Sequence, residues 1–309
     1  MGYLAVIAAL FHTVRFPFQM AHYKIERFFQ LSRQSLLGWL VDWIKGTALG
    51  AVLGAIAVTA LYFFYVSGWP YWWAVAALAL IAFSVLLAQL APVLLIPLFY
   101  KMKPLDGSPL KDRLLDLCRR FQIPVDDVFH LGLGEKTEKG NAAFVGIGTT
   151  KRIILGDTLY ERFSPDEIEA VFAHELGHQV HNDLWRGIIV SSVFILLGFG
   201  VANVVLAEGL PIVSDIEIDS GPRLFLFMVI LAVVQTPFEW VQAVFSRWRE
   251  RRADDFAATT IGVAGPLADA LERLTIQNKG LFRPHPLIEF FSYSHPAPWR
   301  RISKLRHLG

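Results

Sequence analysis

The chain alternates between long apolar stretches and shorter polar ones. Four apolar stretches approach the roughly 20 residues that a membrane-spanning helix needs: Gly46 to Val66, Tyr71 to about Leu95, Gly187 to Ala207 and Leu224 to Phe245. A fifth, from Leu4 to about Met20, is weaker because His12 and Arg15 interrupt it. The pattern predicts a mainly α-helical, polytopic membrane protein with about four to five spans.

The composition becomes that of a water-soluble domain from Lys101 onward. An amphipathic pattern predicts a helix from Pro109 to Phe121. Short β-rich runs follow at Val128 to Leu133, Ala142 to Ile147 and Arg152 to Leu155. The last two runs are close enough to form a hairpin, so we expect a small β-hairpin or sheet in this part of the chain.

Composition and charge placement support the membrane assignment and suggest an orientation. Hydrophobic residues make up 54% of the 309 residues, and the charge of +2 gives no reason to expect nucleic acid as a partner. Of the 29 Lys and Arg residues, only Arg223 lies beside the acidic loop from Glu208 to Pro222; the others precede Gly46, follow Phe245 or lie within residues 100–186. By the positive-inside tendency, these basic segments face the cytoplasm and the acidic loop lies outside.

One short motif points to chemistry. Residues 174–178 read H-E-L-G-H, and Ser164, Pro165 and Glu167 upstream form a capping box that starts a helix running to about Asn182. On a helix, His174 and His178 lie on one face and can present two imidazole nitrogens to one metal ion. Glu175 would lie beside the metal without binding it, where it can take a proton from a bound water.

A two-histidine motif needs a third protein ligand to form a site of this kind. Glu250 and Asp254 are four residues apart in the basic segment after the last span. Taken alone, this segment reads as an ordinary charged helix in solvent. Beside the H-E-x-x-H motif, however, it offers a third ligand and a carboxylate that could orient a bound histidine.

Taken together, four blocks resemble the type I CAAX prenyl proteases, the a-factor-converting family of integral-membrane zinc metallopeptidases. The blocks are residues 140–144 with 151–159, the H-E-L-G-H motif, residues 246–254, and residues 293–301. Their order and spacing agree from about residue 10 to the C-terminus, which is far more specific than the H-E-x-x-H motif alone.

The resemblance implies a zincin-like catalytic domain that holds one Zn²⁺ per chain. It assigns His174, His178 and Glu250 as zinc ligands, Glu175 as the general base, and Asp254 as the carboxylate that orients a bound histidine. His295 would approach the oxyanion, and Asn141, Ala143 and Arg301 would contact the substrate. The simpler alternatives are a turn residue for Asn141 and a surface-loop histidine for His295.

The hydropathy, the charge placement and the motifs together predict a domain organisation. Residues 1–100 would form an N-terminal membrane region with the weak span 4–20 and the spans 46–66 and 71–95. Residues 101–186 would be a cytoplasmic catalytic subdomain, 187–245 two further spans, and 246–309 a C-terminal catalytic tail with the third ligand. The resemblance implies an α-helical barrel around a large intramembrane chamber. Family members usually have seven spans, whereas this chain starts where the third would be, so self-association could complete the barrel.

The expected function is a membrane-embedded zinc endopeptidase that cleaves membrane-associated or lipidated proteins. The loop after Leu159 is short, whereas eukaryotic relatives can carry long insertions there. This favours a prokaryotic cytoplasmic membrane over the endoplasmic reticulum. This leaves two substrate classes open, prenylated CAAX-type proteins and misfolded membrane proteins cleared in quality control. A rival from another class is a catalytically silent zinc-binding scaffold, but such a site has no need of Glu175.

Overall fold

We describe the protein from a computed structural model, which covers residues 2–148, 151–209 and 221–309. The chain is mainly helical, with one small sheet among the described residues. It divides into two compact units. The first comprises Met1–Phe29, Ser35–Val85 and Ile189–Glu239, and the second comprises Gln30–Gln34, Leu86–Ile188 and Trp240–Gly309.

Long helices account for the first unit and confirm the predicted fold class. Within the described residues, four helical segments are long and apolar enough to cross a membrane: Leu36–Val66, Trp72–Phe99, Asp183–Ala207 and Gly221–Ile261. They contain the helices α2 (Leu36–Val66), α3 (Trp72–Leu90), α8 (Asp183–Val204) and α9 (Gly221–Asp255). The predicted weak span forms part of a fifth helix, α1 (Gly2–Phe28), which has Pro17 in its interior.

The helix ends differ from those predicted. Helix α2 begins at Leu36 rather than Gly46, because Ser35 caps it by accepting a hydrogen bond from the Gly38 N–H. The second span passes Pro92 through a π-helical turn, Ala91–Leu95, and ends with α4 (Ile96–Phe99). The acidic loop between the last two spans, with Ser214 in it, lies largely outside the described residues.

Aromatic contacts form the core of the first unit. The Trp72 ring lies 5.0 Å from Tyr65 and 5.0 Å from Phe227, and Phe199 contacts Phe227 at 5.6 Å. These side chains come from four different helices, and their burial together ties α2, α3, α8 and α9 into one cluster.

Gly46, Gly50 and Gly54 recur at four-residue spacing, which permits a close helix contact, but within the described part of the chain no such contact is made there. A Cβ added at any of the three would meet no atom within 4 Å. Close approach occurs instead at Gly200, where an added Cβ would lie 3.3 Å from the Trp73 ring. The spacing of glycines predicts which contacts a helix permits, not which ones it makes.

A sheet and short helices build the second unit. Among the described residues the sheet has the strand order β1-β2-β4-β3, with β2 and β4 parallel and the other pairs antiparallel. The strands are β1 (Met102–Pro104), β2 (Val128–Leu131), β3 (Ala142–Val145) and β4 (Arg152–Gly156). The predicted hairpin is confirmed as β3 and β4, with Ala142 opposite Leu155. β3 therefore lies at one edge of the sheet.

Helices cover the sheet and bring the C-terminal part of the chain against it. Leu114, Leu155, Leu159 and Phe172 are almost fully buried in the main core between sheet and helices. The helices of this unit are α5 (Pro109–Arg120), α6 (Asp157–Tyr160), α7 (Pro165–Val180), α10 (Ala264–Gln277), α11 (Pro286–Ser292) and α12 (Pro298–Leu308), together with the end of α9. The predicted helix at Pro109 is confirmed and ends one residue early.

Candidate active site

Helix α7 carries the H-E-x-x-H motif and starts where its capping signals predict. The Ser164 hydroxyl accepts from the Glu167 N–H, and the Glu167 carboxylate accepts from the Ser164 N–H at 2.8 Å. Burial would raise the pKa of Glu167, but the hydrogen bonds from Ser164 and Arg273 outweigh it and hold that pKa below its usual value. The capping box thus fixes the register of the whole helix.

The two histidines and Glu250 converge on one point. His174 Nε2 lies 3.2 Å from Glu250 Oε2, and His178 Nε2 lies 3.3 Å from Glu250 Oε1. One ligand atom from each of the three residues lies within 4.8 Å of the others. The site therefore joins two neighbouring turns of α7 to α9, as expected if Glu250 supplies the third ligand.

The opposite nitrogen of each imidazole is held by a carboxylate. His174 Nδ1 lies 2.9 Å from Asp254 Oδ1, and His178 Nδ1 lies 2.9 Å from Asp183 Oδ2. Each contact favours a proton on Nδ1 and leaves Nε2 free to bind a metal, an arrangement common around metal-bound histidines. The structure thus brings Asp254 to the position where the resemblance expects it.

Asp183 is a functional candidate that the sequence reasoning missed. A turn follows α7 at Asn182, whose φ is 55°, and α8 starts at Asp183. This turn brings Asp183 back beside His178, and the Arg252 guanidinium holds its other carboxylate oxygen. The available signal was an aspartate directly after the predicted end of the motif helix.

The donor set fits a metal ion. A tetrahedral ion with nitrogen and oxygen ligands at about 2.0–2.1 Å separates them by about 3.3 Å, close to the two distances to Glu250. Glu250 is buried, and its Oε2 accepts no well-formed hydrogen bond from the described part of the chain. This oxygen lies 3.2 Å from His174 Nε2 and 3.7 Å from Arg301 Nη1, and a buried carboxylate oxygen beside an imidazole nitrogen suits a cation.

The carboxylates favour positive charge at this point. Burial alone would lower the pKa of His174, but Asp254 and Glu250 outweigh it and raise that pKa. In the same way Asp183 and Glu250 raise the pKa of His178 to about 9. A negative field strong enough to raise both values also attracts a metal cation.

Glu175 lies beside these ligands in a cavity of about 280 Å³. Burial raises the pKa of its carboxyl group, against the opposing effect of His174 and His178. A higher pKa makes a carboxylate a better proton acceptor near neutral pH. The cavity is lined by Gly140, Asn141, Ala142, Leu159, Val171, His174, Glu175, Glu250, Leu267, Leu271, Leu274, Asn278, His295 and Arg301.

His295 and Arg301 reach this cavity from the C-terminal part of the chain. His295 Nε2 lies 3.4 Å from Glu250 Oε1, and 57% of its side chain is exposed. Arg301 donates to both oxygens of Asp254, at 2.7 and 2.8 Å, and its guanidinium is almost buried. Arg301 was expected to contact substrate, whereas its closest observed partner is the carboxylate that holds His174.

The chain before β3 places Asn141 at the cavity. The Gly140 N–H donates to the Asn278 side chain, and a Cβ on Gly140 would lie only 2.8 Å from Leu274. A side chain at this position would have to displace the end of the Leu274 side chain, so a glycine suits the close contact with α10. Asn141 is exposed at the cavity wall, while Ala143 lies within β3, paired with Ile154.

This site lies on α7, directly before one candidate span, and on α9, which forms part of another, and it defines a class of protein, the membrane metallopeptidases. Residues 104–309 match the model of peptidase family M48, and residues 1–101 match the CAAX prenyl protease N-terminal model, described as five membrane helices. The chain therefore belongs to peptidase family M48.

Individual relatives agree with the family assignment. The chain is 30% identical to the CAAX prenyl protease 1 homolog of Arabidopsis thaliana, over 98% of this chain and 72% of the relative. It is 27% identical to CAAX prenyl protease 1 of Saccharomyces cerevisiae, over 99% and 72%. An uncharacterized metalloprotease of Bacillus subtilis, YhfN, is 26% identical over 97% and 72%.

A solved structure gives the same result. The crystal structure of S. mikatae Ste24p has a TM-score of 0.88 and 26% identity, and the match covers 98% of this chain and 74% of that one. The predicted family, fold class and metalloprotease activity are thus confirmed. The protein is an integral, multi-pass membrane enzyme that acts on peptide or protein substrates and uses a metal. Self-association, prenyl specificity and the cytoplasmic orientation stay predictions.

Proposed function

We propose that the protein is a zinc endopeptidase that cleaves membrane-associated or lipidated proteins, prenylated CAAX-type proteins among them. His174, His178 and Glu250 hold the ion in this proposal. The observation that carries it is the convergence of these three side chains beside Glu175. The printed names of the yeast and plant relatives support the prenylated substrate class.

Zinc, when bound, would polarise the scissile carbonyl and lower the pKa of the attacking water. Glu175 takes a proton from that water as the water oxygen bonds to the carbonyl carbon. The same carboxyl group then gives the proton to the leaving nitrogen as the C–N bond breaks, so Glu175 ends unprotonated. Asp254 and Asp183 keep the two imidazoles in the orientation that hydrolysis needs.

His295 would stabilise the negative charge that develops on the carbonyl oxygen. Partial desolvation at the cavity wall lowers the pKa of His295, with Glu250 opposing the shift, so a neutral imidazole N–H is the donor at neutral pH. Its position 3.4 Å from Glu250 supports this role, because the substrate carbonyl must approach the same ligand cluster.

The edge of the sheet would hold the substrate backbone. β3 has no strand partner on its outer side among the described residues, so its free N–H and C=O groups can pair with an extended peptide. Asn141, directly before β3, offers an amide donor and acceptor at the cavity. Leu267, Leu271 and Leu274 form an apolar wall suited to aliphatic side chains next to the cleaved bond.

We also propose that the catalytic parts of the chain, residues 101–186 and 246–309, face the cytoplasm of a prokaryotic cell. The distribution of Lys and Arg supports this orientation. In a Cys118→Ser background, a membrane-impermeant thiol reagent should label a cysteine at Ser214 in intact cells and miss one at the exposed Glu161. The reverse labelling pattern would invert the orientation.

Product analysis with three substrates tests the activity. The purified, zinc-loaded enzyme is incubated with a prenylated CAAX peptide, the same peptide without the prenyl group, and an unprenylated membrane protein. We expect cleavage of the prenylated peptide to be fastest, with one product N-terminus and about one zinc per chain by metal analysis. Cleavage of the unprenylated membrane protein alone would favour the quality-control function instead.

A further inference from the structure

Arg247 is a buried arginine one turn before Glu250 on α9 whose partners are backbone carbonyls. It is only 7% exposed. Its Nη1 donates to the carbonyl oxygens of Glu289 at 3.1 Å, Phe290 at 3.3 Å and Tyr293 at 2.6 Å. These carbonyls lie at the C-terminal end of α11, where a helix leaves backbone acceptors unsatisfied.

A second buried contact fixes the chain at Ala297, four residues after Tyr293. Glu289 is also buried, and its Oε1 accepts from the Ala297 N–H at 3.0 Å. Ala297 itself is fully buried. The segment from Tyr293 to Ala297 is therefore held at its first residue by Arg247 and at its last by Glu289.

His295 lies in the middle of this segment. Arg247 and Glu250 belong to the same helix, so a carbonyl held by Arg247 is held at a fixed distance from Glu250. His295 is mostly exposed and would have few restraints without these contacts. Its Nδ1 lies 2.9 Å from Ser294 Oγ, but Ser294 belongs to the same segment and cannot fix the position of that segment. A shift of the segment would carry the imidazole with it, and a hydrogen bond weakens steeply outside a narrow range of distance and angle.

We propose that Arg247 and Glu289 are positioning residues that set the distance between His295 and the metal ligands. The proposal rests on the proposed role of His295 at the developing oxyanion. Burying a guanidinium and a carboxylate is unfavourable unless each is well hydrogen-bonded. The contacts described above meet that need and at the same time restrain the segment that carries His295.

Kinetics of single and double variants test the proposal on the full-length, metal-loaded enzyme. His295→Ala should lower kcat about 100-fold to 1000-fold, as loss of an oxyanion donor does. Arg247→Met should lower kcat about tenfold or more, with KM and metal content near wild type, since a misplaced donor affects the transition state most. In the His295→Ala background, Arg247→Met should change kcat less than about twofold, because the group it positions is already gone.

Two controls separate positioning from a general loss of structure. Arg251→Met removes an exposed arginine from the same helix and should leave kcat near wild type. Glu289→Gln keeps an oxygen that can accept from the Ala297 N–H and should retain most activity, whereas Glu289→Leu should resemble Arg247→Met. The Glu289 pair keeps the proposal testable if Arg247→Met does not fold.

The outcomes distinguish the two proposals. If His295→Ala has wild-type kcat, both the oxyanion role of His295 and the positioning role fall. If His295→Ala is slow but the Arg247→Met and His295→Ala effects multiply in the double variant, only the positioning role is overturned. Wild-type kinetics in both Arg247→Met and Glu289→Leu would overturn it as well.

Discussion

Replacing Asp183 tests whether the carboxylate behind His178 contributes to metal binding. Asp183 Oδ2 lies 2.9 Å from His178 Nδ1, and only 4% of the side chain is exposed. In Asp183→Asn the amide oxygen can still accept from the imidazole N–H, but the bond loses its charge and weakens to roughly half. In Asp183→Ala the acceptor is removed altogether.

The expected magnitude follows from the behaviour of such partners in other metal sites. Loss of the carboxylate behind a metal-bound histidine weakens metal binding about 10-fold to 100-fold, or about 1.4 to 2.7 kcal/mol. We expect Asp183→Asn near the lower limit. Asp183→Ala should reach the upper one, because it also leaves the partly buried Arg252 guanidinium without this partner.

The assay is competition for zinc between the detergent-solubilised protein and a chromophoric chelator of known affinity. Asp255→Asn is a matched control, since it also neutralises an aspartate near the site but one that is half exposed and paired with Lys304. Circular dichroism would show that each variant is folded. A zinc affinity for Asp183→Ala within twofold of wild type would refute the reasoning and reduce Asp183 to a helix-start residue.

The remaining predictions concern charge, acid stability and the buried thiol. Glu175→Gln should keep zinc and lose about 100-fold to 10,000-fold in kcat, whereas Glu250→Gln should lose zinc itself. Metal analysis beside kinetics separates the two effects. Full zinc occupancy in Glu250→Gln would remove Glu250 from the ligand set. Because its pKa is depressed in the folded state, Glu167 stabilises the fold above the ordinary glutamate pKa of 4.5, and this stability is lost as pH falls through the lower folded-state pKa. In Glu167→Gln the melting temperature should therefore fall less between pH 6 and pH 3 than in the wild type. An equal fall in both proteins would contradict the assignment. Burial raises the pKa of Cys118 to about 12, so a thiol reagent at pH 8 should react with Cys118 only after unfolding. Rapid labelling of the native enzyme would show instead that the main core is open at Cys118.

Local features of this fold were predictable, because the signals that produce them are local. The capping box at Ser164 and Glu167 starts α7 through contacts within four residues, and the spacing of His174 and His178 follows from helix geometry alone. The hairpin β3–β4 was likewise visible as two short β-rich runs near each other. The spans were found from hydropathy, but their ends were not, because a polar cap such as Ser35 lets α2 start well before its apolar part.

Contacts between distant segments were predictable only where a family resemblance supplied them. Glu250 reads as an ordinary charged-helix residue until it is placed opposite His174, 76 positions earlier in the sequence. Asp183 and Arg247 carry no motif of their own, and each acquires its place from a turn or a helix end formed elsewhere. Sequence patterns thus identify the chemical groups that this site uses, while the fold decides which partners restrain them.

The charged side chains of the site leave a net negative charge that a divalent metal ion can neutralise. Beside the two histidines, the cluster contains four carboxylates and two guanidinium groups: Glu175, Glu250, Asp254, Asp183, Arg301 and Arg252. With neutral imidazoles its formal charge is −2, which one divalent cation neutralises. Buried charge is tolerated when it is matched in sign and hydrogen-bonded. Glu175→Gln and Glu250→Gln change this charge equally, so a difference in their zinc content must come from coordination and not from the field.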